Sequence, residues 1–269
     1  MNEVMQVLLR RKSVRAYEDR TISEDVKREI LHATLRAPTA GNMMLYSILE
    51  VTDQEAKATL ARTCDNQPFI AKASLVWLFL ADYQRWWDYF EQTGVREMAE
   101  AKGEPMRTPQ EGDLFIAFCD ALIAAQTAVI AAESVGIGSC YIGDIMENYE
   151  THRALFDLPS YALPVCLVCF GYPTKQQRER PLTPRFDEKF IVFENRYRRL
   201  GRDEFRAMYR EREERLAAGG DHGIHGAGAG AAARPANVGQ LMYLRKFNAD
   251  FTKEMTRSVR AMLRAWTRE

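Results

Sequence analysis

Residues 113–145, DLFIAFCDALIAAQTAVIAAESVGIGSCYIGDI, constrain the fold of this chain more than any other stretch. From residue 114 to 135 the pattern predicts one long helix that is apolar on nearly every face. A membrane span needs about 20 consecutive, predominantly apolar residues, and here Asp120, Gln126 and Glu133 interrupt the run. The segment is therefore expected to be a helix covered on several sides, inside a core or between two subunits. Gly136 and Gly138 end it, and residues 139–145 follow as a strand-like segment containing a third glycine, Gly143. A buried helix leading into a glycine-flanked strand can hold backbone N–H and C=O groups rigidly beside a flat ligand. The same glycine spacing is also the ordinary chemistry of a helix C-cap and turn.

The 269 residues suffice for one large domain or two small ones. Apolar residues make up 46% and charged residues 28%, which is the make-up of a soluble globular protein. The 37 basic and 37 acidic side chains cancel, so attraction to nucleic acid or an anionic membrane would require a local patch. No basic run is long enough to form one, so neither nucleic acid nor membrane is expected as a partner. The N-terminal MNEVMQVLLRRKS shows neither a basic leader nor a cleavage site, so no signal peptide is expected. Five cysteines, an odd number, do not make a disulfide framework and fit a reducing, cytoplasmic setting. Cys166 and Cys169 have metal-pair spacing, but they lie in a predicted strand, where residues three apart point to opposite faces. No second pair completes a zinc site, so a structural role is favoured.

A first helix is predicted over 3–10, with Val4, Val7 and Leu8 as its stripe. A second follows TISE at 21–24, which has capping-box spacing, with Ser23 as the rival N-cap. Pro38 closes it, and 38–42 is a turn. Strands are expected at 46–51, 75–81 and 162–171, and further helices at 55–62, 150–156 and 198–216. Residues 82–112, with Trp86, Trp87, Tyr89 and Phe90 in one helical segment, leave the core either as a lid or pocket wall or as a helical insert packed down on the domain. Residues 171–181 read as a polar basic loop and 219–236 as a flexible Gly/Ala loop, whose His222 and His225 are solvated. The segment from 237 carries Phe247, Phe251, Met255, Val259 and Met262 at helical spacing. The expected division is a domain at 1–218, the loop at 219–236 and a helical C-terminal extension at 237–269.

Arg11, Lys12, Ser13 and Arg15 lie directly after the first helix, where cations are favourable for the helix dipole alone. A second basic group, Arg178 and Arg180, follows a predicted buried strand. Two such groups together with a serine hydroxyl suit a phosphate monoester. No P-loop motif is present, and no strand–GxGxxG–helix unit opens the chain.

RKSVRAY at 11–17 resembles the flavin-phosphate motif of the FMN-dependent nitroreductases. APTAGN at 37–42 sits where that family has its second flavin-contacting turn, and NQPF at 66–69 resembles the segment beside the isoalloxazine. AESVGIGSCYIG at 132–143 resembles the family's dimer-interface helix and its glycine segment, and GYP at 171–173 with Arg178 and Arg180 resembles the phosphate-closing loop. The ordered set covers residues 1 to about 198 and is most similar to the oxygen-insensitive NAD(P)H nitroreductase and flavin reductase branch. The Gly/Ala loop and the terminal segment depart from the pattern.

The resemblance implies an α+β, nitroreductase-like fold: a central, mostly antiparallel sheet flanked by helices, with the long helix at a homodimer interface. It implies FMN as cofactor, in two sites built from both chains, and NAD(P)H as co-substrate. Reduction of nitroaromatics, quinones or flavins would then proceed by ping-pong hydride transfer through flavin N5. No protein nucleophile is required, and no catalytic triad or dyad is evident in the sequence. Arg11, Lys12, Ser13, Arg178 and Arg180 would bind the phosphate, and Arg15 would stabilise charge on the reduced ring. Pro38, Thr39, Ala40 and Asn42, from either chain, would contact ring or ribityl. Gln67 would meet the pyrimidine edge, and Tyr141, Ile142, Gly143 and Asp144 would line the ring near N5. Arg245 or Lys246 could reach the cofactor. Arg196, Arg198, Arg199 and Arg202 form either a 2′-phosphate contact or a solvated helix face. The rival readings are a non-catalytic flavin-binding redox sensor or carrier, and another reaction of the same fold such as dehalogenation.

Overall fold

The computed structural model describes residues 1–219 and 235–267; of the loop expected at 219–236, residues 220–234, with His222 and His225, lie outside the described residues. The described chain divides into two compact units, Met1–Arg180 with Glu254–Glu269, and Pro181–Lys253.

In the first unit, α1 (Glu3–Arg10) and α2 (Glu24–Thr34) precede β1 (Tyr46–Glu50). Then come α3 (Gln54–Thr63), α4 (Phe69–Lys72), β2 (Leu75–Asp82), α5 (Gln84–Gln92), α6 (Val95–Ala101) and the long α7 (Glu111–Ser134). β3 (Gly138–Ile142), α8 (Tyr149–Leu155), β4 (Ala162–Gly171) and α9 (Lys175–Glu179) follow. The sheet order is β1-β2-β4-β3 and every strand pairing is antiparallel. Ser23 wins as the α2 cap, accepting from the Val26 amide.

Side chains of β2 alternate between the two faces. Leu75, Trp77, Phe79 and Ala81 face one core with α7, and Val76, Leu78 and Leu80 face the other with α3. On β4 the alternation breaks once. The register shifts between Phe79 and Leu80, so Val165 is an extra residue, and Val165 and Cys166 both enter the α7-side core. Neighbouring Pro164 has no N–H to donate, and the bulge accommodates it in a central strand. Cys166 and Cys169 accordingly end in opposite cores, and all five cysteines are free.

α7 lays Ala117, Ala121, Ala124, Ala125, Ala128 and Ala132 on the sheet, where small residues allow close approach. By length and composition alone it could cross a membrane. Its buried alanine stripe and buried Asp120 instead make it the core helix of this unit. The opposite face leaves Phe115, Ile116, Cys119, Leu122 and Ile123 exposed in the single chain. α5 packs down in part, with Trp86 Nε1 donating to the Met43 carbonyl at 2.8 Å and the Trp87 ring tilted against Tyr161 with centroids 5.6 Å apart, while Tyr89 stays exposed.

The second unit contains α10 (Arg202–Ala217), α11 (Val238–Met242) and a π-helical turn, Tyr243–Phe247. α10 starts four residues later than the charge pattern suggests, because Gly201 occupies the cap and its N–H is taken by Glu204 at 2.8 Å. Arg196, Arg198 and Arg199 thus precede the helix, and with Arg202 they are exposed. The last helix, α12 (Asp250–Thr267), buries Ser258, Met262 and Trp266. The expected single stripe from Phe247 is broken by the π-turn, and Phe247 is exposed.

Candidate active site

Residues 11–17 run alongside the sheet rather than ending with α1. Ser13 bridges Ser139 in parallel, and the Val14 amide donates to the Ser139 carbonyl at 2.8 Å. Close approach is possible because Gly138 and Gly171 lack side chains: a Cβ on either would come within 2.6 Å of Val14 or Tyr17. These two glycines serve packing.

The segment predicted as a loop after β4 contains α9, capped by the Thr174 side chain. The signal was present in TKQQ, which has capping-box spacing at 174–177. α9 is fastened to the basic motif from both sides. Lys12 Nζ donates to the Arg178 carbonyl at 2.7 Å and also to that of Arg180, while Arg180 Nη2 donates to the Ser13 carbonyl at 2.5 Å. Arg178 pairs with Glu18 at 2.6 Å. The side chains of Arg11 and Arg15 make no hydrogen bond or ion pair among the described residues. Their charge is felt at Cys140, whose thiol is pushed up by burial and drawn back down by Arg15, by Ser13 and by Arg11 and Arg180.

β3 leads away from this cationic end. From Ser139 to Gly143 the strand advances about 13 Å at ~3.3 Å per residue. Tyr141 faces α7, its hydroxyl 3.3 Å from Gln126, and Ile142 is buried in the other core, so Ile142 offers only backbone outward. At Gly143 a Cβ would meet no atom within 4 Å, and its φ is not one that requires glycine. Neither protein packing nor backbone conformation explains the glycine; it keeps an outward-facing space open. Beside it Gln67 Nε2 donates to Asp144 at 2.8 Å and to the Cys64 carbonyl at 3.0 Å. Cations at one end, an open backbone face along β3 and a polar amide–carboxylate pair at the other fit an elongated ligand with a phosphate head and a planar, hydrogen-bonding tail.

Pro38, Thr39, Ala40 and Asn42 are not part of this group within one chain. Their turn leads into Tyr46, which pairs with Ala81, and Ala81 pairs with Leu163. Ser139 pairs with Phe170. Along β4 that is roughly 20 Å, at the opposite end of the sheet. The turn is anchored to α7: Asp120 accepts from Thr39 Oγ1, from the Ala40 amide at 2.9 Å and from the Leu45 amide at 3.1 Å. Sequence reasoning missed Asp120 as the organiser of this turn, although a carboxylate interrupting an apolar helix was its visible signal. It also missed Glu147, a buried acid in the turn after Gly143. Arg245 and Lys246 lie in the second unit. Among the described residues no cluster of metal-ligating side chains occurs.

The sequence pattern of the nitroreductase family matches residues 8–172, more than half of the chain, and the chain belongs to that family. It is 29% identical over 208 residues to the FMN reductase (NADPH) of Bacillus subtilis, covering 77% of this chain and 78% of the relative. It is also 29% identical to the oxygen-insensitive NADPH nitroreductase of Salmonella typhimurium, over 74% of this chain and 77% of the relative. Among solved structures, nitroreductase A of Vibrio parahaemolyticus superposes with a TM-score of 0.69 at 27% identity, covering 78% of this chain and 84% of the other. NfrA2 of B. megaterium superposes with a TM-score of 0.75 at 26% identity, covering 98% and 96%.

Proposed function

We propose that this chain is an NAD(P)H-dependent flavin oxidoreductase that works as a cytoplasmic homodimer with FMN as its cofactor. The observation that carries the reading is the open face at Gly143, set between the Arg11–Arg15 cations and the Gln67–Asp144 pair. Related proteins named as NADPH-dependent FMN reductase and nitroreductase support it.

Bound there, FMN supplies the hydride-accepting and hydride-donating chemistry that links NAD(P)H to a second substrate. Arg11, Ser13 and Arg15 would hold the phosphate end and the developing negative charge, with Arg15 as the electrostatic partner of the reduced state. Lys12, Arg178 and Arg180 fasten α9 against that segment through some of their donors, and the remaining N–H groups of the two guanidiniums would complete the phosphate site. The backbone of Ile142 and Gly143, with Asp144 and Gln67, would border the ring. The 38–42 turn would join from a second copy, because within one chain it lies at the wrong end of the sheet. The exposed apolar faces of α1 and α7 give that second copy a surface: Val4, Met5, Leu8 and Leu9 on one helix, Phe115, Ile116 and Leu122 on the other. Nitroaromatics, quinones and free flavins are the proposed acceptors, in ping-pong turnover.

The test is an absorption spectrum of purified protein before and after anaerobic NADPH. The expected result is a yellow protein that bleaches and recovers on adding a quinone. A yellow protein that does not bleach would identify a flavin carrier, and a colourless monomer that ignores added FMN would overturn the reading.

A further inference from the structure

Three carboxylic side chains bear on Glu147 in the turn after β3: Asp144 of the same turn, Asp65 before α4, and Glu254 on α12. The buried Cys64 thiol at the end of α3 faces Asp144 and Glu147 as well, and burial pushes it up. Glu254 is engaged, accepting from the Asn148 amide at 3.1 Å and from Arg257 at 2.8 Å. Arg257 also clamps Glu150 at 2.8 Å through both oxygens. His152 of α8 adds no positive charge. Its ring is buried between the Ile145 carbonyl and Thr63 Oγ1, each at 2.8 Å, and burial lowers its pKa.

Glu147 is 4% exposed, and its Oε1 has no hydrogen-bond partner among the described residues. The Glu147 amide donates to the Asp144 carbonyl at 3.0 Å, which sets the two residues in one tight turn, and Asp144 Oδ2 already accepts from Gln67 at 2.8 Å. A carboxyl that is buried beside other acids, with no cation paired to it, favours its neutral form. Burial first, and Asp144 second, push Glu147 from its ordinary value of 4.5 up to about 8.

We propose that Glu147 is a positioning residue for the ring end of the FMN site: as a neutral acid it donates to Asp144 and so fixes the Gln67 amide, and as a carboxylate it repels Asp144 and releases that amide. The inference rests on reading Gly143, Asp144 and Gln67 as the ring end of that site. The folded protein holds a proton that the unfolded chain gives up above about 4.5, so stability contributed by this group is lost as pH rises toward about 8.

The experiment is titration of the full-length apoprotein with FMN, read by quenching of flavin fluorescence, at pH values from about 7 to 9, above the second ionisation of a phosphate monoester near 6. If binding requires the protonated form, apparent affinity falls about tenfold from pH 7 to 9, as the competent fraction falls. Glu147→Gln keeps a donor toward Asp144 without ionising, so its affinity is expected to stay flat, and its melting temperature loses the wild-type decline between about pH 4.5 and 8. Asp65→Asn removes one like charge and is expected to shift the midpoint to lower pH; it carries the test if Glu147→Gln does not fold. A pH-independent wild-type affinity, or an equal fall in Glu147→Gln, overturns the inference and leaves the FMN site standing. Failure of the wild type to bind FMN at any pH overturns both.

Discussion

Lys12 and Arg15 carry the same charge three residues apart, and the fold uses them differently. The Lys12 ammonium is bound by two carbonyls of the α9 segment, while the Arg15 guanidinium has no protein partner among the described residues. Arg15→Ala is therefore expected to weaken FMN binding and slow flavin reduction more than Lys12→Ala does, with little change in melting temperature. Lys12→Ala is expected to lose about 1–2 kcal/mol of stability through its charged hydrogen bonds. Fluorescence titration, stopped-flow reduction and thermal melts on both variants check this; equal, near-wild-type FMN retention and reduction in the two would defeat the assignment. At Gly143 the free space around the missing Cβ makes a second test. Gly143→Val is expected to fold normally yet bind FMN at least about tenfold more weakly, a loss of ~1.4 kcal/mol of contact. A variant with wild-type affinity would show that nothing lies against this glycine.

At the scale of elements, α7 lays its alanines on the sheet and uses Asp120 to hold the turn before β1. Three donors of the 39–45 turn converge on its carboxylate from Thr39, Ala40 and Leu45. Asp120→Ala leaves them unpaired, and about 3 kcal/mol of stability should go with it. Asp120→Asn, which keeps one acceptor oxygen, should fall between. Chemical denaturation measures the difference, and an alanine variant as stable as wild type would remove Asp120 from its role. The elements themselves were largely legible. The boundaries of α1 and β4 follow the sequence pattern residue for residue, because stripe, cap and apolar run agree there. α9 was missed because a five-residue helix has no periodicity to detect, only the cap at Thr174. The late start of α10 follows from Gly201 and Glu204, a local cap that outweighs the charge pattern of the preceding arginines.

For the whole molecule, the separation between the Arg11–Arg15 segment and the 38–42 turn means that the proposed FMN site would need a second copy to bring the two together. Phe115 and Leu122 are exposed at 70% and 45% on one face of α7, which points to a second copy as their cover. A Phe115→Glu, Leu122→Glu double variant is expected to sediment as a monomer and to lose FMN together with the dimer. A monomer that keeps wild-type FMN affinity would show that a single chain suffices.

What the sequence by itself determined was the set of elements and the chemistry available to them: cations in two short runs, a small-residue helix, glycines where backbone must stay bare. Those properties are local, and local periodicity and residue type report them. Which cations are tied to protein carbonyls, that Gly138 serves packing while Gly143 stays open, and that Glu147 is buried near other acids were decided only in three dimensions. Strand register and burial set those distances, and no residue's spacing along the chain encodes which distant group will stand next to it.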